Sequence, residues 1–162
     1  MKPADLLSLL EQLHRDTLGL RQRHVAAARF VEHYDYNNTY QYVIAREDTH
    51  AAWLCAAIAG LGGTPGEVPE PQVSLTGRGP ARLQHILRDD VSLADAFIQT
   101  WKARIPAITN ARHRKMCEVV LGETVEHRRL FAQGLEGRDD VLGRRTGGKT
   151  TGGGVLATRW VE

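Results

Sequence analysis

The chain has 162 residues, 42% hydrophobic and 25% charged, with a formal net charge of +2. These values suit one compact domain with a real core, and no run is long and apolar enough to cross a bilayer. The basic residues gather around 112–115 and 144–149 without interleaved aromatics, too little for a nucleic-acid surface.

The N-terminus, MKPADLLSLLEQLHRD, meets charges too soon for a secretory signal and reads as helix, so a cytoplasmic location is expected. Leu6, Leu10, Leu13, Thr17, Leu20, His24, Ala27 and Val31 recur at spacings of three and four, predicting a first helix over 3–33 with Pro3 in its first turn. Residues 34–39 hold two asparagines and read as a turn, from which Asn38 or Thr39 caps a second helix ending near Leu61. So short a connection makes the first two helices antiparallel neighbours.

The segment TPGEVPEPQVSLTGRGP is dense in proline and glycine and reads as a loop. Extended, it outruns the length of a bundle, so it is expected to cross over and start the third helix from the same end as the second. That third helix is predicted over 81–105, stopped or kinked by Pro106. Asn110 then caps a fourth over 111–135, closed by Gly137. Strand signals are absent. The fold class is therefore all-α, an antiparallel four-helix bundle over 1–136 with a glycine-rich basic tail over 137–162.

The chemistry lies where polar groups interrupt apolar stripes. Glu47 and His50 sit three apart on the stripe of Val43, Leu54, Ile58 and Leu61, which turns both inward. On the fourth helix Glu123 and His127 interrupt the stripe of Met116, Val120 and Leu130. Buried ionisable groups require hydrogen bonds, countercharges or a metal, and paired helices each projecting a carboxylate and a histidine are how a bundle builds a metal site.

The segment Glu47-x-x-His50-Ala51, followed by an apolar half-helix and Gly62-Gly63-x-Pro65, resembles the ferritin-like superfamily, bacterioferritin and rubrerythrin in particular. The resemblance covers about residues 3–135. It implies iron, one or two ions, with manganese or zinc as substitutes, and oxidation driven by dioxygen or peroxide. Carried over residue by residue, Glu47 is a bridging carboxylate, His50 a terminal ligand and His127 the end of the second motif. Thr124 stands where that motif has a glutamate, with Glu123 and Glu126 beside it; Glu123, on the stripe of His127, is the candidate ligand.

Where the family places its first-helix glutamate, this chain offers His14 and Asp16. Counting from the turn instead sets His24 level with Glu47 and His50, so His24 is the first choice and Asp16 the second. The same counting about Asn110 sets Asp90 level with His127, with Asp95 ranked behind it. Two rival readings remain: a metal-free bundle in which these groups satisfy one another, and a mononuclear histidine-rich site of DinB-like type on which His24, His50 and His127 converge.

Other features carry less. Cys55 and Cys117 lack metal or disulfide spacing and read as buried free thiols. The tyrosines at 34, 36, 40 and 42 read as packing. GRRTGGKT over 143–150 matches the P-loop pattern but lacks the strand before it and the helix after it. The apolar end of the tail, with Trp160, is expected to dock on its own bundle or a neighbouring subunit, and a homo-oligomer, a dimer first, is the expected assembly.

Overall fold

A computed structural model of the chain describes residues 1–73 and 77–143. It contains four long helices: α1 (Pro3–Ala28), α2 (Tyr34–Gly60), α3 (Gly79–Arg104) and α4 (Ala111–Leu135), with a 3-10 turn at Ile105–Ala107 before α4. There is no strand among the described residues, and no described helix is long and apolar enough to cross a membrane.

Three of the predicted ends hold. Pro3 opens α1, Pro106 falls in the 3-10 turn that closes α3, and Asn110 Oδ1 accepts from the His113 N–H at 3.1 Å to cap α4. The turn between α1 and α2 does not hold as predicted. Helix α1 stops at Ala28, five residues early, and α2 begins at Tyr34 rather than near Thr39. Tertiary burial overrides the asparagines here: Tyr36 and Tyr40 extend the inward stripe of α2 by a full heptad and are both buried. Asn37 Nδ2 meets the open carbonyls of Ala28 (3.4 Å) and Val31 (3.3 Å), and Thr39 Oγ1 donates back to the Asp35 carbonyl instead of capping.

Side-chain bonds fix the topology. His14 meets Cys55 and Arg21 meets Asp48, so α1 and α2 run antiparallel. Arg23 reaches Asp90 while Asp16 reaches Trp101, so α1 and α3 also run antiparallel. Tyr36 meets Gly134 and His50 meets Glu123, giving the same for α2 and α4. Both α2 and α3 therefore oppose α1 and start from the same end, as the long connection requires.

The core is divided. One apolar cluster gathers Leu10, Leu13, Leu54, Ile58, Trp101 and Val120; the other gathers Ala27, Tyr40, Val43, Leu87, Phe131 and Val141. Between them every helix contributes buried polar groups: Arg23 and His24, Glu47 and His50, Asp90, then Thr124 and His127. A polar layer thus crosses the middle of the bundle.

The predicted tail is tied down over its first residues. Gly137 turns at φ +86, Tyr36 donates to the Arg138 carbonyl at 2.7 Å, and Val141 is buried against the second cluster. Gly134 makes room for that tyrosine, since a Cβ there would lie 2.9 Å from Tyr36 Cε1. Residues 144–162, with the P-loop-like match beyond Gly143 and Trp160, lie outside the described residues.

Candidate metal centre

The polar layer resolves into three linked groups. In the first, His24 Nδ1 lies 2.9 and 3.0 Å from the two carboxylate oxygens of Glu47, both side chains being buried. His127 Nδ1 lies 3.9 Å from Glu47 Oε1 on the other side. Neither His127 nitrogen has a hydrogen-bond partner, and neither does His24 Nε2. An orphaned buried polar atom costs about 1–3 kcal/mol, so His127 carries two such penalties or serves a ligand.

In the second group Tyr40 donates a hydrogen bond to Asp90 Oδ2, and Arg23 Nε lies 3.3 Å from Asp90 Oδ1. The third runs outward. His50 Nε2 meets Glu123 Oε2 at 3.0 Å, and Arg46 clamps the same carboxylate through Nε at 2.7 Å and through its other arm. The His50 and His127 rings stack, with centroids 6.4 Å apart, which joins the third group to the first.

The residues read from the sequence therefore divide. Glu47, His24, His127 and His50 come together in the buried layer. Asp90 reaches the layer with Oδ2 accepting from Tyr40 and Oδ1 ion-paired to Arg23 but without a hydrogen-bond partner, while Glu123 sits at its rim, held by Arg46. Asp16 receives the Trp101 indole N–H at 3.1 Å, and Asp95 pairs with Arg128 at 3.0 Å, so neither joins the centre. Glu126 pairs with Arg129. Thr124 is buried and donates to the Val120 carbonyl of its own helix at 2.9 Å. Among the described residues no three His, Cys, Asp or Glu side chains close on a single point able to hold an ion.

Sequence reasoning took Tyr40 for packing, where the structure sets its hydroxyl on Asp90, and passed over Arg23 and Arg46. Tyr40 was legible, being seven residues before Glu47 on one stripe. The arginines flank His24 and Glu47 by one position, and only packing shows that they turn toward the layer. Cys55 and Cys117 are both free, Cys117 buried as expected and Cys55 only half-buried; burial pushes the Cys117 thiol up to about 12, and Cys55 Sγ meets His14 Nε2 at 3.2 Å.

Electrostatics separates the two halves of the centre. Burial alone lowers His24, but the charge and hydrogen bond of Glu47, with Asp90 behind them, outweigh it and raise His24 above its ordinary value. Burial raises Glu47 in turn, opposed by His24, so the pair holds one proton between them. His127 has no such support. Burial first, then the neighbouring His24 and His50, hold it down at about 3, and it is a neutral imidazole at physiological pH.

This predicts a pH dependence. Unfolded, His127 titrates near 6.5; between there and about 3 the unfolded chain binds a proton that the folded chain refuses. Stability from this group is fully present above the unfolded value and falls as pH drops below it. His50 and His14, also lowered chiefly by burial, act in the same direction, while the His24–Glu47 pair, which keeps its proton, works against them. Of these groups His127 is the one displaced far, to about 3, so urea unfolding of the metal-free chain should lose about 1–3 kcal/mol between pH 7 and pH 5. A flat or rising profile over that interval contradicts the assignment.

No family model and no curated protein matches the chain. Among solved structures it is similar to a crystal structure described as ferritin-like, diiron-carboxylate proteins from Bacillus anthracis str. Ames. The match has a TM-score of 0.63 at 19% identity and covers 83% of this chain and 99% of that one. The fold is the ferritin-like four-helix bundle.

Proposed function

We propose that this is a ferritin-like metal-binding protein whose centre takes one divalent transition-metal ion through Glu47 and His127, with His24 completing the set from α1. The observation that carries this reading is His127, fully buried beside a carboxylate with both ring nitrogens unpartnered. A neutral imidazole next to a buried carboxylate is a donor set for iron, manganese or zinc. The diiron-carboxylate neighbour supports testing iron first.

The donors fit one ion better than two. A two-ion bundle site draws on four carboxylates; here Asp90 is bound by Arg23 and Tyr40, Glu123 by Arg46, and Thr124 supplies none. Glu47 faces one free histidine nitrogen, His127 Nδ1 at 3.9 Å, while its other neighbour, His24 Nδ1, is already hydrogen-bonded to it. Iron held there would supply redox chemistry toward dioxygen or peroxide. The chain's own part is to present the neutral His127 imidazole, keep the proton of the His24–Glu47 pair available for exchange on binding, and exclude water from the layer.

A metal-free reading has one observation of its own: most of the layer is already mutually bonded, and no three ligand-type side chains converge among the described residues. Cobalt(II) titration separates the two, followed by d–d absorption and by quenching of Trp53, whose ring lies 5.6 Å from His50. Saturation at one cobalt per chain is expected. Absence of uptake overturns the metal reading in favour of the structural one.

A further inference from the structure

We infer that the outer groove between α1 and α3 binds a small amphipathic carboxylate, an apolar chain ending in one acid group, at a site separate from the metal centre. The groove measures about 600 Å³, within the range of small-molecule sites. Gly19 and Leu20 line it from α1, Leu93, Ala96 and Phe97 from α3, and Pro71 from the connection between α2 and α3. Leu93 is 41% exposed there, an apolar side chain left to solvent unless the groove is filled.

Gly19 keeps the groove deep. It lies in the middle of α1, where glycine weakens a helix relative to alanine. Neither backbone nor packing asks for it: its φ is not positive, and a Cβ at this position would meet nothing within 4 Å. The missing side chain leaves open space instead. From Arg15 to Arg23 the groove runs roughly 12 Å along α1, room for an alkyl chain of medium length.

Charge selects the head group and its direction. Arg23, at one end, is held by Asp90 at 3.3 Å and Asp89 at 3.5 Å. Asp16 also lines the wall, but its oxygens accept the Gln12 amide at 2.7 Å and the Trp101 indole N–H at 3.1 Å. Arg15, at the other end, donates to Gln12 Oε1 at 2.9 Å and meets no carboxylate among the described residues. Its guanidinium fork is therefore open to a bidentate acid group. The apolar wall supplies most of the affinity, because an exposed ion pair adds little by itself.

Isothermal titration of the metal-free full chain with decanoate, kept below its micelle-forming concentration, tests the assignment independently of metal uptake. Saturation at one decanoate per chain is expected, with decanol, which keeps the chain and lacks the charge, binding more weakly. Arg15→Gln should weaken decanoate about 3–10-fold and leave decanol unchanged. Gly19→Leu, which fills the groove and favours the helix, should weaken both at least about 10-fold with helical circular dichroism unchanged. No saturable uptake by the wild-type chain, or uptake indifferent to Gly19→Leu, overturns the inference. Decanol binding as tightly as decanoate overturns the head-group assignment, and self-association that Gly19→Leu abolishes, without decanoate uptake, gives the groove to a second copy instead.

Discussion

Asp90→Ala is expected to cost about 3–5 kcal/mol of folding stability. Asp90 is fully buried, and its two oxygens answer Arg23 and the Tyr40 hydroxyl from two other helices. Removing the carboxylate leaves a guanidinium that is nearly buried and a phenol with no acceptor in a dry core. Asp90→Asn keeps an acceptor for Tyr40 and should cost distinctly less. Urea denaturation of the metal-free proteins measures both, and a loss below about 1 kcal/mol for the alanine variant would show that Asp90 does not anchor the layer.

The second large effect has opposite signs in its two readouts. His127→Leu should abolish divalent-ion binding, exceeding the roughly 10–100-fold loss typical of outer partners of a metal site. The same change should leave the metal-free protein as stable or more so, because both imidazole nitrogens lack partners and leucine fills a similar volume with no polar atom. A structural histidine behaves differently: its replacement destabilises the fold and leaves ion affinity where it was. Glu47→Gln is the companion, weakening binding while retaining an acceptor for His24.

Much of this was legible in the sequence for a simple reason. The helical period places residues on faces regardless of partners, so Glu47, His50 and His127 could be turned inward before any packing was known, whereas Glu123, expected on the same stripe, stands half-exposed at the rim and Thr124 takes the buried place. Counting from the turn also set His24 level with Glu47, and the two meet at 2.9 Å. That level survived although the turn itself was misplaced, because α1 ends early and α2 begins early by about the same amount. What periodicity does not encode is which acid keeps a free oxygen. Asp90 faces inward and Glu123 stands at the rim, yet Arg23 and Arg46, each on another helix, take them. Ion pairing across helices depends on rotamer and reach, and the sequence pattern carries neither.

The same distinction explains Thr124. It lies inside the layer, where the ferritin-like motif has a glutamate, and bonds to its own helix instead. The ferritin-like four-helix fold is present with a threonine at that position, and the count of ions is the point on which the proposal turns.

Elemental analysis of the purified full chain after anaerobic ferrous loading and desalting therefore tests the account most directly. One iron per chain, lost in His127→Leu, is the predicted result. No retained iron in the wild-type protein would contradict metal binding and leave the layer as a hydrogen-bonded core, whereas two irons per chain would contradict the assignment of Asp90 and Glu123 to their arginines.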